Sequence, residues 1–133
     1  MKVFQVVKTS DGAVWAARQC AVLTTLGVEV HVALPQLTGQ AMGYWLKSGA
    51  ILHECDLNAP VRHPQRLPEI TKRARQLVHD LSPDLIHSHF VGTTLVLRLA
   101  LGKSHHVPRI FQVPGPLHLE HMFYRRLELS LAG

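Results

Sequence analysis

Short apolar runs alternate with helix-spaced apolar positions along the whole chain. Residues 2–7 form a buried-strand pattern. The turn Thr9-Ser10-Asp11-Gly12 follows, with Ser10 and Asp11 as candidate N-caps. A helix is predicted over 13–26, with Ala13, Ala16, Ala17, Cys20, Ala21 and Leu23 on one broad apolar face. Trp15, Val22 and Leu26 fall on its other side, so it is only partly amphipathic. Gly27 suits the helix end. A second strand is predicted over 28–34, a helix over 39–48 and a third strand over 50–53. Residues 58–66 carry Pro60 and Pro64 and read as loop.

The clearest helix is predicted over 68–81. Leu67, Ile70, Ala74, Leu77, Val78 and Leu81 face one way, while Glu69, Lys72, Arg73, Gln76 and Asp80 face the other. Ser82-Pro83-Asp84 breaks it. A fourth strand is expected over 85–87, a helix over 92–101 and a fifth strand over 109–113. Pro114-Gly115-Pro116 stops that strand, and a last helix is predicted over 118–131. Strands joined by helices imply right-handed crossovers and a mostly parallel sheet. The expected fold is one α/β, Rossmann-like domain with order 3-2-1-4-5 and helices on both faces. The direction of winding then reverses between the first and fourth strands, and ligands bind at the carboxyl ends of the strands there.

Length and composition fit that picture. The 133 residues, 47% of them hydrophobic and 17% charged, suffice for one domain with its own core. A formal charge of +5 favours anionic partners. Arg62, Arg66, Lys72, Arg73 and Arg75 form one basic stretch and Arg125-Arg126 another. Each reads as a solvated face or as a contact for an anionic membrane surface. With only 6% aromatic residues and no recognition module, nucleic acid is not an expected partner. Cys20 and Cys55 have neither metal-site nor disulfide spacing. The amino terminus reads as lacking an export signal, and no run has the length of a spanning helix, so a cytoplasmic protein is expected.

Candidate chemistry gathers at three strand ends. Asp11-Gly12-Ala13 leads into a helix whose first N–H groups suit a phosphate, although no complete phosphate-loop motif is present. His87-Ser88-His89 ends the fourth strand. Residues two apart share a strand face, so both imidazoles point the same way if the strand persists. A bond from either ring to a neighbouring loop is the plainer alternative. Gly115, His118 and His121 follow the fifth strand, with His118 and His121 on one face of the predicted helix. Four histidines raise a metal hypothesis, but neither H-E-x-x-H nor a cysteine pair supports it.

Three segments resemble the N-terminal domain of a family 4 glycosyltransferase of GT-B architecture. The first is Ser10-Asp11-Gly12-Ala13, a helix, then Gly27-Val28-Glu29-Val30-His31-Val32. The second and most specific is Ser82-Pro83-Asp84-Leu85-Ile86-His87-Ser88-His89. The third runs from Val107-Pro108 to Pro114-Gly115. The family's paired glycines stand here as Asp11-Gly12, its following glutamate is not retained, and its histidine before the last glycine is Pro114. The resemblance implies transfer of a sugar, with retention, from a nucleotide-sugar donor to a glycan or lipid-linked acceptor, with no cofactor and no metal. It implies His89 and His118 as catalytic residues, and Asp11, Gly12, Ala13, His87, Gly115 and His121 as substrate contacts. It also implies a donor-binding C-terminal domain or partner subunit beyond this chain; the basic stretches add peripheral contact with the inner membrane face as an option for a cytoplasmic protein. The alternative is a non-catalytic module that binds an acceptor or a partner domain. A flavodoxin-like nucleotide or metal binder is a third, weaker alternative.

Overall fold

The computed structural model describes residues 1–11, 13–60, 62–102 and 105–112. Among these residues five strands and four α-helices alternate: β1 (Lys2–Val6), α1 (Val14–Thr25), β2 (Glu29–Leu34), α2 (Met42–Lys47), β3 (Ile51–Glu54), α3 (Leu67–Leu81), β4 (Leu85–His89), α4 (Val91–Leu101) and β5 (Arg109–Gln112). Every strand pairing is parallel, and the order is β3-β2-β1-β4-β5, as expected. The stop at 114–116 and the helix predicted over 118–131 lie outside the described residues.

Two apolar layers sandwich the sheet. On one side Val30, Val32 and Leu34 pack against Ala16, Ala17 and Cys20 of α1 and Trp45 of α2. The three small α1 side chains let that helix lie close to the strands. Burial pushes the Cys20 thiol up to about 12, which makes it an inert core residue at neutral pH. On the other side Phe4, Val6 and Ile86 meet Ile70, Ala74 and Val78 of α3 and Val96 and Leu97 of α4. The winding direction reverses after β3, which sends the later helices to the opposite face.

Four local expectations need correction. Neither Ser10 nor Asp11 caps α1. The helix begins after Ala13 without a side-chain cap. Ser10 Oγ donates to Thr38 O at 3.3 Å and Asp11 Oδ1 accepts from Ala41 N at 3.2 Å, so both side chains serve the approach to α2. That helix is shorter than the span predicted from 39 to 48, because Gly39 takes a positive φ of +122° and holds the chain in a turn. The loop over 58–66 contains a 3-10 turn at Pro64–Arg66, with proline at its start. Finally, β4 continues through His89, beyond the predicted end at 87, because Ser88 and His89 stay in register with Phe111 and Gln112 of β5.

Candidate functional site

Gln5, His87 and His89 lie on the α1 side of the sheet, at the boundary between β1 and β4. Parity places them there: Gln5 and His87 are register partners and alternate with Phe4, Val6 and Ile86, which face α3 and α4. Because β4 persists, the two imidazoles meet, with ring centroids 4.1 Å apart at 33°. Trp15, in the first turn of α1, covers His89 edge-on at 5.0 Å. Gln5 and His89 are wholly buried, and His87 nearly so.

Burial fixes the protonation of this group. His89 Nε2–H donates to Gln5 Oε1 at 2.5 Å, which selects one neutral tautomer and leaves Nδ1 as a bare acceptor. Burial, then the neighbouring His87, pushes His89 down to about 3. His87 is lowered by burial, with a hydrogen bond to the Gln112 side chain acting in the opposite sense. Both rings are therefore uncharged near neutral pH. Among the described residues, Gln5 Nε2, His87 Nε2 and His89 Nδ1 have no hydrogen-bond partner. Such buried polar atoms are uncommon, and here three of them gather in one cluster.

The junction after His89 is strained. Phe90 adopts φ 78°, ψ 159°, a backbone region almost confined to glycine. Its N–H donates to Gln112 O at 2.9 Å, and its carbonyl accepts from the Thr93 and Thr94 hydroxyls at 3.2 and 3.0 Å. Thr93 Oγ1 also donates to His89 O at 2.6 Å. These bonds lock the turn between β4 and α4.

Among the predicted site residues, the structure brings His87 and His89 together. Ala13 is fully buried, and its carbonyl accepts the first α1 bonds from Ala16 and Ala17. Asp11 is exposed and holds the Ala41 amide. A Cβ on Gly39 would fall 2.3 Å from Asp11 Oδ1, so the carboxylate fills the space that this glycine leaves. Asp11→Ala is expected to cost about 1 kcal/mol in chemical denaturation, and Gly39→Ala more than that, since it adds strain to a clash. Gly12, Gly115, His118 and His121 lie outside the described residues. Lys8, Trp15, Phe90 and Gln112 escaped sequence reasoning. Gln5 could have been singled out as a polar residue between the apolar Phe4 and Val6 of a buried-strand run.

Other polar clusters lie elsewhere. His31 bridges Glu29 at 2.7 Å and His53 at 2.9 Å on the α3 side of β2 and β3. A cavity of about 570 Å³, lined by Arg75, His79, Asp84, His105 and His106, opens at the amino ends of β4 and β5, the edge opposite the paired histidines. The basic stretch is divided: Arg73 pairs with Glu69 at 3.2 Å, and Arg75 Nε donates to Ala100 O at 2.9 Å. Among the described residues, no three His, Cys, Asp or Glu side chains cluster as metal ligands, and no helix is long and apolar enough to cross a membrane.

Comparison with known proteins gives this edge a family context. No curated protein matches the chain in sequence. A glycosyltransferase from Rickettsia africae ESF-5 superposes with TM-score 0.65 at 14% identity, over 97% of this chain and 34% of that one. CalG4, the calicheamicin glycosyltransferase, gives 0.59 at 15%, over 97% and 36%. A triple-mutant deacetylase of the teicoplanin pathway gives 0.62 at 16%, over 90% and 69%. The chain thus spans about a third of the length of these two transferases. At such identities the likeness establishes the Rossmann-like fold alone, which unrelated activities share. The family model for Glycosyltransferase Family 4 matches residues 12–132, nearly the whole chain and including the paired histidines. The chain belongs to Glycosyltransferase Family 4.

Proposed function

We propose that this chain is the acceptor-side domain of a retaining glycosyltransferase. In this reading a second, donor-binding domain or subunit supplies most of the nucleotide-sugar site, and the sugar passes to a glycan or lipid-linked acceptor. The observation that carries the reading is the histidine pair of the Pro-Asp-Leu-Ile-His-Ser-His segment. It lies at the β1–β4 switch point of a chain whose family match runs through it. Trp15 covers His89, and both rings are neutral, so their role is hydrogen bonding and orientation. His89 Nδ1 and His87 Nε2 are acceptors or donors for a sugar hydroxyl or an ordered water. His118 and Gly12, outside the described residues, are proposed as further site residues, and stabilising the departing diphosphate is the main electrostatic task of transfer. Attraction of the exposed Arg62, Arg66 and Lys72 to anionic lipid would hold the domain at the inner membrane face.

The full burial of His89 also favours the second reading, a module that binds without catalysing. The two separate in one assay. The chain is paired with its donor-binding domain and supplied with a panel of nucleotide sugars and saccharide acceptors. The transferase reading predicts a new glycosidic bond with the donor's anomeric configuration. A preparation that binds both substrates and forms no such bond would leave only the binding module.

A further inference from the structure

Phe90 is the one described residue that combines glycine-type backbone geometry with a large side chain at the carboxyl edge of the sheet. The other positive-φ residue besides glycine is Ser82, which ends α3 in the ordinary left-handed conformation, φ 47° and ψ 57°. At φ 78°, ψ 159° a residue with a Cβ is strained relative to glycine. Glycine would remove that strain, so the phenyl ring itself has to account for the residue. It is half-buried and edge-on to Trp15, with centroids 6.5 Å apart. Lys8 lies two residues beyond β1, and its Nζ stands over the ring, 5.9 Å from its centre. Lys8 is exposed, and no salt bridge to it occurs among the described residues. Three elements therefore deliver one aromatic face, one supporting indole and one cation to the β1–β4 crevice, beside the orphaned polar atoms of His87 and His89.

We infer that Phe90 and Lys8 form a subsite for an anionic saccharide, with the C–H face of the sugar ring on Phe90 and its phosphate or carboxylate at Lys8. The C–H groups on one face of a pyranose are weakly positive and match the negative face of the phenyl ring. Lys8 adds a mobile point charge that accepts either kind of anion. Trp15 backs the ring and fixes its position. The inference deepens the transferase reading by giving the acceptor a chemical class, and its test is separable from that reading.

The test is titration of the whole chain with glucose 1-phosphate, glucuronate, glucose and inorganic phosphate, followed by NMR of the Trp15 indole. Both anionic sugars are expected to bind at least about fivefold more tightly than glucose or phosphate alone. Lys8→Gln should bring the anionic sugars to the level of glucose and leave glucose unchanged. Phe90→Leu keeps the bulk without the aromatic face, and Phe90→Gly removes both ring and strain. Each should weaken all three sugars about fivefold or more, with phosphate unaffected. Equal affinity for glucose and its phosphate, or unchanged sugar binding in Phe90→Gly, overturns the subsite. In the paired transferase the two readings part. Transfer that is indifferent to Lys8→Gln and Phe90→Gly sinks the subsite alone. Saccharide binding without any transfer sinks the transferase reading alone.

Discussion

Trp45→Ala is expected to lower the stability of the domain by about 3–5 kcal/mol, a large part of what a domain of this size possesses. Trp45 is fully buried in the layer between α1, α2 and the sheet. Its indole also does a second job: Nε1–H donates to Ser10 O at 3.1 Å, pinning the turn that follows β1. Removing the ring leaves a cavity beside Cys20 and Leu34 and an unpaired carbonyl in the turn. Trp45→Phe separates the two losses. It keeps most of the packing and drops the hydrogen bond, for an expected cost of about 1–2 kcal/mol. Urea denaturation followed by circular dichroism checks both values. Similar midpoints for the two variants would mean that the hydrogen bond, and not the volume, carries the effect.

Acidification is expected to produce the second large effect, through His89. Its folded value lies near 3, against an ordinary 6.5. Between those values the unfolded chain binds a proton that the folded chain refuses, so stability rises with pH across the window. The contribution is complete above about pH 6.5. It falls by about 1.4 kcal/mol per pH unit as the pH drops towards 3. His87, His53 and His105 are lowered as well and act in the same direction. His89→Leu should cost about 1–3 kcal/mol at pH 7, because Gln5 Oε1 loses its donor. Below pH 5 the gap should close or invert, because leucine has no proton to take up. The double variant Gln5→Leu with His89→Leu should recover most of the loss at pH 7. Parallel stability–pH curves for the wild type and His89→Leu would show that His89 titrates normally.

The sheet order was legible because short strands alternate with helical periods, which implies parallel crossovers, and Val30, Val32 and Ile86 are buried as that arrangement requires. The end of β4 was harder to read. Ser88 and His89 look like loop residues, and pairing with Val6 of β1 and with Phe111 and Gln112 of β5 extends the strand. The capping error has a similar origin. Ser10 and Asp11 are the usual residues for a helix start, yet partners 28 and 30 positions away, Thr38 and Ala41, bind them instead. Within the site, the facing of His87 and His89 followed from strand parity. Trp15 and Phe90 were hidden because contacts between α1 and β4 leave no periodic trace in sequence. Phe90 could not have been found at all: its positive φ comes from the hydrogen bonds that lock the β4–α4 turn.

The carboxyl edge at β1 and β4 is the proposed substrate-binding edge of this domain. A two-dimensional amide NMR map of the chain titrated with glucose 1-phosphate tests it. Shifts are expected to be confined to residues 5–15 and 87–93, with the Trp15 indole among the largest. Shifts centred on Asp84, His105 and His106, at the amino edge of the same sheet, would contradict it.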